Sequence, residues 1–273
     1  MKIVKYFIYL ITFLLLILML AFGVKAHQQA KIYEDVTTQI VVLQDAGEQA
    51  KLKLESWAKS LFRGLYKDDR RIHLDELREK QLSTMAEAKK YVLYFMVTLF
   101  ITFLLYFITS LRYFTIIGSI SAIITLVFGL ITPILMVTIH KEVEYLGDVI
   151  LSFESKGIIG SISKLFENGD IVVAIVILLF SVVIPVFKIL SLFFVSIFIQ
   201  SKFAHKIVYF LKMIGKWSMI DVFVVAVFLV YLTANKGDVS KAEVEVGLYF
   251  FLAYVISSML VSLSADKMLQ RLK

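Results

Sequence analysis

Lys188 lies inside an apolar run that extends from residue 171 to residue 199, three residues after Pro185 and seven after Ser181. At ~1.5 Å per helical residue it is ~18 Å from residue 200, near the middle of a hydrocarbon core ~30 Å thick. An ammonium at that depth costs on the order of 3 kcal/mol, and snorkelling along the lysine stem struggles to return it to water. A carboxylate is available in the next apolar run. Asp221 opens it one turn after Trp217, and residues 222–232 carry no charge. If the two runs are antiparallel helices, lysine and aspartate can meet one turn inside the membrane. Pairing lowers the burial cost but rarely adds much stability without further hydrogen bonds. The pair is therefore either structural or the centre of a working polar site: a cavity, a proton site or a conformational lock.

Pro185 adds to this pattern. Proline in a helix removes one backbone hydrogen bond and obstructs another, freeing a carbonyl and often kinking the helix. Lipid-embedded helices tolerate this where neighbours or water satisfy the freed group. Thr132-Pro133 suggests the same in an earlier apolar run, so both prolines of the chain are expected inside membrane helices.

These residues need membrane-spanning elements to hold them. The chain has 273 residues, 59% of them hydrophobic, and a mean hydropathy of +0.83. Several runs reach the ~20 apolar residues that cross a bilayer. The expected fold is an all-α polytopic membrane protein with spans near 4–24, 91–110, 114–139, 171–199, 218–234 and 246–264. Cysteine is absent, which excludes disulfides, thiolate metal sites and cysteine nucleophiles. The net charge of +7 reads as basic cytoplasmic loops rather than nucleic-acid binding. Residues 200–217 hold Lys202, His205, Lys206, Lys212 and Lys216 with no acidic residue, and Arg112, Lys267, Arg271 and Lys273 mark the other basic segments. Placing all of these inside puts both termini in the cytoplasm. Residues 205–217 form an amphipathic pattern suited to an anionic membrane surface. The stretch 25–90, with 13 Lys/Arg against 11 Asp/Glu, then lies outside; long loops cross largely regardless of charge. Val24-Lys25-Ala26 resembles a signal-peptide cleavage site, but the apolar run before it exceeds the usual length, so a retained helix is expected.

The outer stretch reads as a helical hairpin. Val36, Ile40, Leu43, Gly47, Ala50, Leu54, Trp57 and Leu61 are spaced by fours and threes, as in a coiled-coil seam. A turn is expected from Gly64 through 67–71, and a return helix carries Leu74, Leu77, Leu82 and Met85. The hairpin either buries its own seam or docks another envelope protein. The expected division is 1–110, a transmembrane hairpin with an outer arm at about 25–90, and 111–273, a four-helix membrane unit.

SVVIPVFKILSLFF followed by IGKWSMIDVFVVAVFLV resembles the paired signature of the paraquat-inducible protein A family of bacterial inner-membrane proteins. Trp217, Ser218, Met219 and Asp221 fall on its Trp-Ser-Met-x-Asp-Val-Phe turn, and Pro185 and Lys188 on its proline–lysine helix. LITPILMV is similar to the family's proline-bearing first helix, and DVILSFESKGIIGSISKLFENGDIVVA to the connection after it. The likeness covers about 116–264. It implies movement of phospholipid between the inner and outer membranes, beside periplasmic tunnel proteins of the mammalian-cell-entry (MCE) class. Ser181, Pro185, Lys188, Asp221, Thr132 and Pro133 would then line a polar transport cavity. Larger members of the family have two four-helix units and cysteine-rich zinc ribbons. This chain has one unit and no cysteine, so zinc does not carry over and no cofactor is implied; a homo-oligomer of two copies would restore the two-unit arrangement.

Catalysis lacks its usual motifs: there is no His-Glu-x-x-His, Gly-x-Ser-x-Gly or Gly-x-x-x-x-Gly-Lys-Ser/Thr. His140 and Lys141 read as interfacial, and His27, His73 and His205 have no metal-ligand spacing. The rival to transport is a non-transporting scaffold or anchor whose outer hairpin docks envelope partners.

Overall fold

The computed structural model describes residues 2–43, 69–143, 147–198 and 240–271. Helix α1, Lys2–Leu43, runs for 42 residues without interruption, ~63 Å at helical rise and about twice a bilayer core. Its first half is apolar, and the remainder must stand beyond the membrane. Helix α2, Asp69–Leu104, returns antiparallel to it. Beyond the membrane, Val36 and Ile40 bury against Leu77 with Leu74 alongside, and the Gln81 amide donates to Thr37 Oγ1 at 2.8 Å. Deeper down, Met19, Ala26 and Ala30 share a buried cluster with Ala88, Val92, Phe95 and Leu99.

Two expectations for the hairpin need correction. Leu82 is 73% exposed, because the buried row on α2 passes through residues 77, 81, 84 and 88 and leaves 82 off the seam. Asp69–Arg71, assigned to the turn, already belong to α2. Leu43 is the last described residue of α1; the rest of the seam, from Gly47 to Leu61, lies outside the described residues.

A single 3₁₀ turn, Leu105–Phe107, leads from α2 towards helix α3, Leu111–Ile131. Ser110 caps α3 by accepting the Tyr113 N–H at 3.4 Å. The helix stops at Thr132, whose ψ of 142° is extended, as expected for a residue before proline. Pro133 therefore ends the third span. It does not kink its interior, and the span is shorter than the 114–139 expected. The chain continues into strand β1, Leu135–Val143, and strand β2, Gly147–Lys156. Strand β3, Ser240–Val244, completes an antiparallel sheet of order β2-β1-β3. Leu135 pairs with Lys156 on one side and Val244 on the other, with a bulge between Ile139 and His140. The spans are all α-helical, and this small sheet is an addition at one end of the bundle. His140 and Lys141 sit on β1, not at a helix end.

Helix α4, Ile158–Glu167, is short and buries Ile158, Ser161 and Ile162. After Asp170 come α5, Ile171–Leu178, one π-helical turn, Leu179–Val183, and α6, Ile184–Ile197, which together form one span. Helix α7, Val246–Gln270, is the last. Five helices among the described residues are long and apolar enough to cross a membrane: within 6–42, 72–107, 111–131, 171–197 and 246–268. The protein is thus a polytopic helical membrane protein. The further span expected at 218–234 lies outside the described residues.

Close approach of α3 and α7 organises the interior. Thr115 Oγ1 and Ser264 Oγ are 3.0 Å apart at one end. At the other, a Cβ on Gly129 would sit 2.9 Å from the Phe251 backbone nitrogen. Small residues let membrane helices pack backbone to backbone in this way. Gly247 is tighter still: it donates to the Pro133 carbonyl at 2.8 Å, and a Cβ would lie 2.4 Å from the carbonyl oxygens of both Thr132 and Pro133.

The bundle has two distinct ends. At one, Tyr9 near the start of α1 lies 4.7 Å from the Tyr113 ring, and Arg112 donates to the last carbonyls of α6, Ser196 at 3.0 Å and Ile197 at 2.9 Å. Lys267 Nζ donates to Tyr106 Oη there at 3.3 Å. At the other end are the sheet, the start of α7 and the half of the hairpin farthest from the basic end. The described chain leaves the basic end at Phe198 and reappears at the sheet end at Ser240.

Candidate functional site

Lys188 is 4% exposed and does not snorkel. It lies nine residues before the end of α6, ~14 Å from the basic end and near mid-membrane. Its ammonium donates to Ser258 Oγ at 3.3 Å, and Ser258 in turn donates to the Val255 carbonyl at 3.1 Å. One helical turn away on both helices, the buried Tyr254 hydroxyl donates to the Pro185 carbonyl at 3.0 Å. The spacing explains the match. Pro185 and Lys188 are three apart on α6, Tyr254 and Ser258 four apart on α7, and both offsets bring side chains to one helix face.

The π turn belongs to this site. Pro185 has no N–H to offer the Ser181 carbonyl, and its ring crowds the preceding turn. The helix widens just before it, so that the Ile184 N–H bonds to the Leu179 carbonyl, five residues back. Such single-turn bulges cluster at functional positions in helices. Ser181 lies inside the bulge and is buried at 5% exposure. Further hydroxyls are buried in the bundle: Ser191 and Ser196 on α6, Ser257 on α7, and Ser119, Ser121 and Thr125 on α3. The Oγ atoms of Ser119 and Ser121 have no hydrogen-bond partner among the described residues.

Thr132 and Pro133 sit elsewhere. Thr132 is fully buried, with Oγ1 3.2 Å from His27 Nδ1 of α1. The Pro133 carbonyl is held by Gly247, eleven residues before Ser258 on α7, ~16 Å along the helix. The buried Glu245 is anchored beside them, its N–H donating to the Ile134 carbonyl at 2.8 Å. The residues expected to line one cavity are thus placed at two levels: Ser181, Pro185 and Lys188 in mid-bundle, and Thr132 and Pro133 at the sheet end. Trp217, Ser218, Met219 and Asp221 lie outside the described residues, as does the amphipathic stretch 205–217.

Sequence reasoning missed Tyr254, Ser258, His27 and Glu245. A signal for the first two was present: AYVISS places hydroxyls one turn apart within an apolar span. Nothing local marks His27 or Glu245 as partners of the Thr132–Ile134 corner, since that contact depends on the fold.

Spans, bulge and buried lysine define the class: a multi-pass helical membrane protein with a polar contact between two helices in its interior. The family model for paraquat-inducible protein A matches residues 114–270, more than half of the chain, and the chain belongs to that family. It is also similar to a probable intermembrane transport protein of Haemophilus influenzae, with 26% identity over 118 residues. That match takes in 41% of this chain and 28% of the relative, so the chain spans less than a third of the relative's length. No solved structure matches it.

Proposed function

We propose that the protein is an inner-membrane component of an intermembrane phospholipid transport system, passing lipid to or from a periplasmic MCE-type tunnel. Residues 111–273 act as the transport unit, and 1–110 add a hairpin reaching towards that partner. The observation that carries this reading is Lys188: an ammonium buried at mid-bundle, hydrogen-bonded across helices and one turn from a proline-induced bulge. A passive anchor gains nothing from a charge that is costly to bury.

Membership of the family supports the lipid class, and the relative's name supports movement between membranes. The gathering of Arg112, Lys267 and Arg271 at the end where α1 begins supports termini in the cytoplasm. In mechanistic terms, Lys188 attracts a phosphate headgroup or exchanges a proton with Asp221. Either event alters its bond to Ser258 and with it the register of α6 against α7. The bulge supplies the compliance for that shift, because a widened turn already lacks the regular hydrogen-bond ladder.

The scaffold reading has one feature in its favour, the length of α1 and α2 beyond the membrane. Complementation separates the two. In cells lacking the protein, Lys188→Met at normal abundance should fail to restore lipid exchange between the membranes, whereas a scaffold should tolerate it fully.

A further inference from the structure

A groove of about 360 Å³ opens on the flank of the bundle near its basic end, within the usual range for small-molecule sites. It runs between α2, the 3₁₀ turn and α7, walled by Phe103, Phe107, Phe114, Leu260 and Leu263. Phe107 and Leu263 are 82% and 52% exposed, so the groove faces the bilayer. Its polar groups are few. Lys267 stands at the end, with Nζ 3.3 Å from Tyr106 Oη and 5.8 Å from that ring's centre. The Ser264 hydroxyl is already engaged with Thr115.

Among the described residues no carboxylate lines the groove. Asp266, next along α7, accepts from Gln270 at 3.0 Å, and the exposed Arg271 follows one turn after Lys267. An apolar trough at acyl-chain depth, closed by a positioned cation at headgroup depth, complements one kind of molecule. We infer that it holds an acyl chain of an anionic phospholipid, whose phosphate is bound by Lys267 with Arg271 beside it. This deepens the proposed transport by naming a lipid class and a waiting position, and binding can be measured without transport.

The test is photo-crosslinking of the full chain reconstituted into vesicles of equal phosphatidylcholine and phosphatidylglycerol. One version carries a photo-reactive residue at Leu263; the other carries it at Phe194, which is 52% exposed and near the same end on α6. Lipid adducts at Leu263 should be severalfold enriched in phosphatidylglycerol, and those at Phe194 should follow the bulk ratio. Lys267→Gln should abolish the enrichment and Lys267→Arg should keep it, both with unchanged melting temperature. Adducts in the bulk ratio at Leu263 would overturn the inference, as would crosslinked dimers of the chain there. Neither result bears on Lys188, so failure of the groove and failure of the transport reading remain distinguishable.

Discussion

A lysine in mid-membrane is expensive, and this one has a defined local setting. Ser258 accepts from it, while Tyr254 holds the Pro185 carbonyl one turn away. Replacing both members of a buried ion pair by apolar residues of similar volume is often neutral or stabilising, whereas removing one strands the other. Lys188→Met combined with Asp221→Leu should therefore keep or raise the melting temperature of the purified protein while abolishing lipid exchange in cells; a fall in both would make the lysine structural. Tyr254→Phe removes one buried donor and should cost about 1 kcal/mol, read as a lowered thermal midpoint. Lys188 and Pro185 stood out in the sequence because a charge and a proline are anomalies in an apolar run. Tyr254 and Ser258 did not. Hydroxyls are common in membrane helices, where most bond within their own helix, as Ser196 does to the Leu192 carbonyl at 2.8 Å.

At the scale of elements, the corner after α3 governs how α7 begins. Thr132 takes an extended conformation ahead of Pro133, and the Pro133 and Ile134 carbonyls then receive the N–H groups of Gly247 and Glu245. Gly247→Ala would push a methyl group into two carbonyl oxygens. It should destabilise the protein by about 1–3 kcal/mol, measured as a lower melting temperature in detergent, whereas Gly160→Ala, at a position with open space, should have little effect. Five spans were legible from hydropathy, and Val36, Ile40, Leu74 and Leu77 of the hairpin seam from their spacing. The sheet was not, because LMVTIHKEV continues an apolar run and periodicity cannot tell a short buried strand from the last turns of a helix. Pro133 carried the missing information: its neighbour disfavours the helical region.

At the scale of the whole molecule, α1, α2, α3 and the α5–α6 span alternate in direction and α7 runs parallel to α5–α6, so basic residues collect at one end and the sheet and long hairpin at the other. The absence of cysteine makes this directly testable with single-cysteine variants. In intact cells a membrane-impermeant thiol reagent should label Ser83→Cys on the hairpin and leave Gln270→Cys unlabelled until the membrane is permeabilised. The reverse pattern would invert the proposed orientation.

The most direct measurement of the central claim is capture of lipid beside Lys188 in living cells. Val186 is partly buried against the core, while Phe187 is 56% exposed and serves as a bilayer-facing control. A photo-reactive residue at Val186 should trap phospholipid, and Lys188→Met should remove that adduct without altering labelling at Phe187 or the amount of folded protein. Labelling at Val186 that is absent from the start, or that persists unchanged in Lys188→Met, would contradict a lipid-handling site at Lys188 and shift the function to the outer hairpin.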